Sequence, residues 1–435
     1  MSRKILVLIS SLVVTALVVF PGTSSSAPDR GNSQWVNTWS SAQQLTEPAN
    51  MPPDPFTGQN SVLDDATLRQ TVHTSIGGGT MRLRFSNAFG GAPLPITRVS
   101  VAEPLDGRAG VSAIEPGTSR EVTFHGDRST TVPVGAQVVS DPLSFPVDAR
   151  ENLTVTMYLA DGQASRSITS HPGSRTTSYM LEGNHVAAAK LPGATPVDHW
   201  YFLSGVEVRA KRTAAAAAVL GDSLTDGRGS TTNGNDRWPD QLVARLQRSP
   251  ATADVAVLNQ GVGGNRVLRD GLGPNALARL DRDVFARSGV EWLVVFEGVN
   301  DIGTAAPTKA AQRRVAENLI SAYEQMIRRA HAQGIRVYGA TLTPFGGHAS
   351  YDDPNGHREA ARQRVNDWIR SSHRFDAVLD LDRAVRDPRN PSALLPTYDV
   401  GDHLHLNPVG YRALAEAVPR GLFTNPSKPF RPGGG

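Results

Sequence analysis

Ser223 stands just past an apolar run, in Val219-Leu220-Gly221-Asp222-Ser223-Leu224-Thr225-Asp226-Gly227. A glycine- and aspartate-rich turn after a strand exposes a serine at the strand end. Its hydroxyl is a weak nucleophile at neutral pH, however, and needs a neighbouring base. The tripeptide Gly-Asp-Ser alone also describes ordinary turns. Asp402-His403-Leu404-His405 supplies a candidate base. On a helical turn the spacing of Asp402 and His405 puts carboxylate and imidazole on one face. The carboxylate then fixes one ring nitrogen and leaves the other to accept a proton. His403 reads as a supporting or surface residue. A metal pair of His403 and His405 would need further ligands, and no sequence-local cluster supplies them, so no metal is expected.

Two further stretches offer hydrogen-bond donors. Asn259-Gln260-Gly261-Val262-Gly263-Gly264-Asn265 follows the strand-like Val255 to Leu258, and Gly298-Val299-Asn300-Asp301 follows the strand-like Trp292 to Phe296. Glycines let the backbone approach a ligand with an N–H exposed. A backbone N–H and an asparagine amide suit a carbonyl oxygen that turns into an oxyanion under attack. The glycines do not fit the G-x-G-x-x-G dinucleotide pattern, and no P-loop occurs. The G-x-S-x-G pattern fails because Thr225 stands at its second glycine.

The elements that must hold these residues fall in two halves. From about Trp35 to Ala210 apolar and polar residues alternate, as in Met81-Arg82-Leu83-Arg84-Phe85 and Leu153 to Leu159, with turn signals between. This is the two-residue period of half-buried strands and predicts an all-β antiparallel sandwich, jelly-roll-like, over residues 35–210. After Lys211-Arg212 short apolar runs alternate with helical stretches, among them Lys309 to Ala332 and Arg358 to Ser371. Such alternation predicts an α/β domain over 211–425, a parallel sheet covered by helices with its site at the carboxyl ends of the strands. One segment conflicts: Ala214 to Ala218 is an alanine run with high helix propensity where a strand is required. A tail over 426–435 reads as flexible.

The chain has 435 residues, enough for two cores, with 39% hydrophobic and 20% charged residues. Its formal net charge is +3, of which Arg3 and Lys4 carry two, so nucleic-acid binding gains no support. There is no cysteine, which excludes a thiol nucleophile and a disulfide framework. Arg3-Lys4, the apolar run from Ile5 to Phe20 and the small, polar residues up to Ala27 read as a secretory signal peptide, residues 1–27. That run is shorter than the roughly 20 residues of a spanning helix. The expected protein is secreted, without stable membrane insertion once the leader is removed.

Together, and in this order, the four blocks resemble those of the GDSL, or SGNH, hydrolase family. The resemblance covers roughly Val219 to Val418. It implies a flavodoxin-like three-layer α/β/α domain and a serine ester hydrolase of esterase or lipase type that needs no cofactor. By the resemblance Ser223 is the nucleophile and His405 the base, oriented by Asp402. Ser223 and Gly264 through their backbone N–H groups, and Asn300 through its amide, form the oxyanion hole. Gly263 departs from the family, many of whose members have serine there. The first half resembles the β-sandwich that precedes the catalytic domain in some secreted bacterial members; it could bind carbohydrate, shape the acyl pocket or stabilise its neighbour. Arg228, Arg237, Trp238, Arg266 and Phe345 lie on or near the loops that should border the site and are candidate substrate contacts. The expected substrate is an acyl ester, small or polymer-borne. A carbohydrate O-acetylesterase and an acyltransferase share this chemistry, and a non-catalytic carbohydrate-binding protein is the rival from another class.

Overall fold

The computed structural model describes residues 32–424; the expected signal peptide and the tail lie outside the described residues. Beside a three-stranded and a two-stranded sheet, the first half is built on two large antiparallel sheets. One orders Ser33–Ser40, Leu203–Lys211, Gly78–Ser86 and Leu143–Val147, with Gln137–Val139 also paired to Gly78–Ser86. The other has six strands, with Ala66–His73 and Asn152–Leu159 at its centre. Alternation explains the packing. Met81, Leu83 and Phe85 point into a core shared with Leu68, Val155 and Met157 of the other sheet. Arg82 and Arg84 turn the other way, where both meet the buried Glu207. The alternation understates burial on the second sheet. Thr154 and Thr156 are buried too, because loops cover that face and buried Arg69 ties Thr156 Oγ1 (2.9 Å) to the carbonyl of Ser112 (2.7 Å).

The second half contains five parallel strands: β1 (Ala215–Gly221), β2 (Val255–Gly261), β3 (Val290–Phe296), β4 (Arg336–Ala340) and β5 (Ala377–Leu379). They lie in the order β2-β1-β3-β4-β5, a doubly wound arrangement whose strand order reverses at β1. Helices Trp238–Leu246, Lys309–Ala332, His357–Ser371 and Pro408–Ala417 bury apolar stripes against the sheet core. The alanine run resolves as strand from Ala215. Flanked by β2 and β3, it gains two rows of ladder hydrogen bonds, which outweigh a helix preference of a few tenths of a kcal/mol per residue.

The halves are not strung apart. Ala216 of β1 and Ala256 and Leu258 of β2 belong to the sandwich core, so part of one sheet face is covered by strands rather than helices. The open edge of β2 is closed by side chains of the sandwich. Ser75 Oγ donates to the Val257 carbonyl (2.9 Å) and accepts its N–H (3.2 Å), and Gln260 Nε2 reaches Ser40 Oγ at 2.6 Å. An unpaired edge strand is thereby protected.

Candidate active site

At the end of β1 the chain turns sharply. Asp222 accepts the N–H of Leu224 (3.0 Å) and caps a single helical turn, Ser223–Asp226. Gly221 is required here, because a Cβ would lie 2.2 Å from Thr225 Oγ1 and 2.9 Å from the Phe296 carbonyl. Ser223 is 7% exposed, and its Oγ lies 2.8 Å from His405 Nε2. His405 Nδ1 is 2.6 Å from Asp402 Oδ2. The other Asp402 oxygen accepts the N–H groups of His405 (2.8 Å) and Leu404 (3.1 Å). The spacing of Asp402 and His405 was read above as a helical turn, but the structure has an irregular loop with His403 at φ +62°. The carboxylate itself folds this loop, which is why the three-residue spacing works without a helix. His403 points away, its Nδ1 2.7 Å from Asp399 Oδ2.

Burial works to raise the Asp402 pKa, but the His405 N–H and imidazole and the Leu404 N–H outweigh it and hold the carboxyl at about 2. Burial pushes His405 below its ordinary value, against the opposing hydrogen bond and charge of Asp402; Arg228 and His348 add to the lowering.

The second and third blocks meet beside Ser223. Gly264 has φ +71°, and a Cβ there would press within 2.5 Å of Leu272. Neither the Ser223 nor the Gly264 N–H donates to another group among the described residues. Asn300 Nδ2 donates to the Asn265 carbonyl (2.8 Å), which leaves its second N–H uncommitted, and the Tyr351 hydroxyl donates to Asn300 Oδ1 (2.6 Å). Asp301 does not face the cleft. Its carboxylate accepts the N–H groups of Val267 (2.8 Å) and Leu268 (3.0 Å) and clamps the glycine loop to the asparagine loop.

Beneath these loops sits Arg279, fully buried, which the sequence reading missed. It donates to the carbonyls of Gly221 (2.9 Å) and Gln260 (2.7 Å) and to Asn265 Oδ1 (2.9 Å), tying the ends of β1 and β2 to the glycine loop. Asp283 (3.3 Å) and Glu297 (3.5 Å) pair with this cation, and its charge also acts on Asp222. Burial pushes Asp222 up to about 7 against the Leu224 N–H, with Asp301 adding to the rise. Glu297, without a hydrogen-bond donor on either oxygen, is pushed well above the carboxylate range by burial. Arg279→Met should cost about 3–5 kcal/mol of stability, because it strands buried acceptors and carboxylates. A drop in the denaturant midpoint with an unchanged m-value would show it; a loss under about 1 kcal/mol would contradict this reading of Arg279.

Ser223 and His405 open into a cleft of about 540 Å³. About a third of its wall comes from the sandwich, through Gln44, Glu47, Asn50, His171 and Arg175 among others. His171 bridges the halves, its Nδ1 2.8 Å from the Ala42 carbonyl and its Nε2 3.0 Å from Asp226 Oδ1. Of the candidate substrate contacts, Arg228 lines the cleft. The others are corrected by their surroundings. Trp238 is 0% exposed and packs edge-on against Phe296, and Phe345 is 1% exposed with its ring against Tyr351. Arg237 is spent on Asp240 (2.7 Å), and Arg266 folds back onto the Asp270 carbonyl of its own loop. Among the described residues no group of three or more His, Asp or Glu side chains is placed to hold a metal, and no helix is long and apolar enough to cross a membrane.

Residues 219–413 match the family model of the GDSL-like lipase/acylhydrolases. The chain is therefore an ester hydrolase by class. The likeness lies in the C-terminal domain, which resembles the GDSL-like lipase/acylhydrolases over those residues. Similar solved structures include an acetyl xylan esterase (19% identity, 46% of this chain and 96% of that chain, TM-score 0.34). A carbohydrate acetylesterase from Sinorhizobium meliloti is 15% identical over 47% of this chain and 95% of that chain, with a TM-score of 0.34. A GDSL-like lipase from Bacteroides thetaiotaomicron is 18% identical over 46% of this chain and 84% of that chain, with a TM-score of 0.33. No curated protein matches the chain.

Proposed function

We propose that the protein is a secreted hydrolase of short acyl esters that works through an acyl-enzyme on Ser223. The observation that carries this reading is the continuous relay from Ser223 Oγ to His405 Nε2 (2.8 Å) and from His405 Nδ1 to Asp402 (2.6 Å) at the mouth of an open cleft. Asp402, ionised far below neutral pH, keeps the proton on Nδ1, so Nε2 is the basic nitrogen. His405 takes the Ser223 proton as Oγ attacks the ester carbonyl, and the carbonyl oxygen becomes an oxyanion. The N–H groups of Ser223 and Gly264 and the second N–H of Asn300 receive it. The C–O bond to the alcohol then breaks, and His405 returns its proton to the leaving oxygen. Water, deprotonated by the same nitrogen, attacks the acyl-Ser223 carbonyl; the acid leaves and the serine regains its proton. An alcohol in place of water would make the same site an acyltransferase.

The cleft wall favours the carbohydrate O-acetylesterase version of this chemistry over a lipase. Polar and apolar surface are about equal on it: its amides, hydroxyls and charged groups suit a saccharide, and Leu272, Leu404, Tyr351 and Pro172 suit a short acyl group. The sandwich, jelly-roll-like in the reading above, then serves to hold the alcohol side of a saccharide. The basic and apolar N-terminal leader supports export.

The pH dependence of hydrolysis tests the base. His405 must be neutral to act, and burial lowers its pKa, so kcat/KM should rise with pH in a single sigmoid and level off by neutrality. The midpoint should fall below about 6.5, the ordinary histidine value. A profile flat from about pH 5 to 8, or a midpoint above that value, would argue against His405 as base.

A further inference from the structure

Two of the charged groups on the cleft wall have no partner. Arg175, from the sandwich, and Arg228, from the turn after the nucleophile, both line the cleft, and neither guanidinium donates to or pairs with any group among the described residues. Arg175 Nε is moreover buried without an acceptor. Guanidinium groups taken out of water are normally matched by carboxylates or carbonyls, as the buried Arg279 and Arg362 are here; Arg175 is half-buried and Arg228 is exposed to the cleft. The Arg175 backbone is held in the left-handed region (φ +51°), its carbonyl accepting the Asn233 N–H at 2.9 Å.

The carboxylates that line the same cleft are all engaged. Asp402 is on His405, and Asp226, 3% exposed in its side chain, is on His171. Glu47 accepts from the amides of Gln44 and Asn50. The two arginines line one cleft, Arg175 from the sandwich side and Arg228 from the hydrolase side, where the Tyr411 hydroxyl donates to the Arg228 carbonyl at 2.6 Å. Arg228 lines the same cleft as Ser223 and His405, and its backbone N–H donates to the Ser223 carbonyl at 3.0 Å.

We propose that Arg175 and Arg228 form an anion subsite, so that the preferred substrate is a short acyl ester of an acidic sugar, a uronate, whose carboxylate meets the two guanidiniums across the domain boundary. This rests on the hydrolase reading above and names its substrate class. The polar wall formed by Gln44, Glu47 and Asn50 suits the hydroxyls of a saccharide, and guanidinium forks suit a carboxylate. It also gives the sandwich a share in specificity, through Arg175.

The test compares acetylated methyl glucuronide with its 6-carboxamide, which differ by one negative charge, by acetate release. The expected kcat/KM ratio of acid to amide is about 10 or more at low salt, shrinking toward one as salt screens the charges. In Arg175→Gln and in Arg228→Gln the ratio should collapse toward one. A wild-type ratio near one, with the amide still hydrolysed in a Ser223-dependent way, overturns the subsite and leaves the hydrolase reading standing. Acetylated glycerol 3-phosphate is the second anionic arm; a preference for it over the glucuronide overturns the sugar assignment. If no ester is cleaved, the hydrolase reading fails, and calorimetry on the Ser223→Ala protein with methyl glucuronide and its amide decides the subsite alone. Tighter binding of the acid supports it; equal binding or none overturns it.

Discussion

Ser223→Ala should lower kcat/KM for a short acyl ester by roughly 10⁴-fold or more while the protein stays folded. The two halves of this expectation have separate causes. Activity falls because among the described residues no other hydroxyl lies on His405 Nε2, so removing Oγ removes the atom that would bond the acyl group. Stability persists because the turn is built by its neighbours: Asp222 caps it through Leu224, and Gly227 closes it onto the Ser223 carbonyl at 2.9 Å. Cleft water can replace the lost hydroxyl. Turnover and thermal midpoint measured on the same preparation check this, and undiminished activity in a folded variant would remove Ser223 from the mechanism.

Asp402→Asn should cost about 10⁴-fold in kcat, although it changes a single atom type. The physical cause lies in the loop. One Asp402 oxygen accepts two backbone N–H groups, from His405 and Leu404, so an asparagine must keep its carbonyl oxygen there. Its NH₂ then occupies the position facing His405 Nδ1, where only an acceptor is tolerated. The imidazole is driven to carry its proton on Nε2, and that nitrogen can no longer take a proton from Ser223. Kinetics with folding checked by circular dichroism would decide. Activity within tenfold of the parent would show that the carboxylate does not set the tautomer.

Much of the frame could be read in the sequence because strand ends announce themselves. Val219-Leu220, Val255 to Leu258 and Trp292 to Phe296 are apolar runs broken by glycine, asparagine or aspartate, and the structure ends β1, β2 and β3 within those breaks. The alanine run misled only by propensity, which a central strand position overrides. The local shape of the Asp402 to His405 loop was misread because residue spacing carries no information about side-chain capping of backbone N–H groups.

Other parts were illegible for a common reason: they depend on where distant segments pack. Tyr351 reaches Asn300 across 51 positions, and Arg279 reaches Gly221 across 58. Nothing around Gln44, Asn50 or Arg175 in the sequence says that the sandwich lines the cleft; that follows from its docking on β2. Trp238 and Phe345 show the converse. Nearness in sequence to a site loop suggests a contact, but large apolar rings at such places are drawn into the core.

The central claim, that Ser223 is a nucleophile activated by His405, is tested most directly by a fluorophosphonate, which bonds an activated serine oxygen by displacing fluoride. Intact mass followed by peptide mapping should find one adduct per chain, on the peptide carrying Ser223, formed faster as His405 loses its proton and suppressed in Asp402→Asn. No adduct on the folded protein, or an adduct at another residue, would contradict the account.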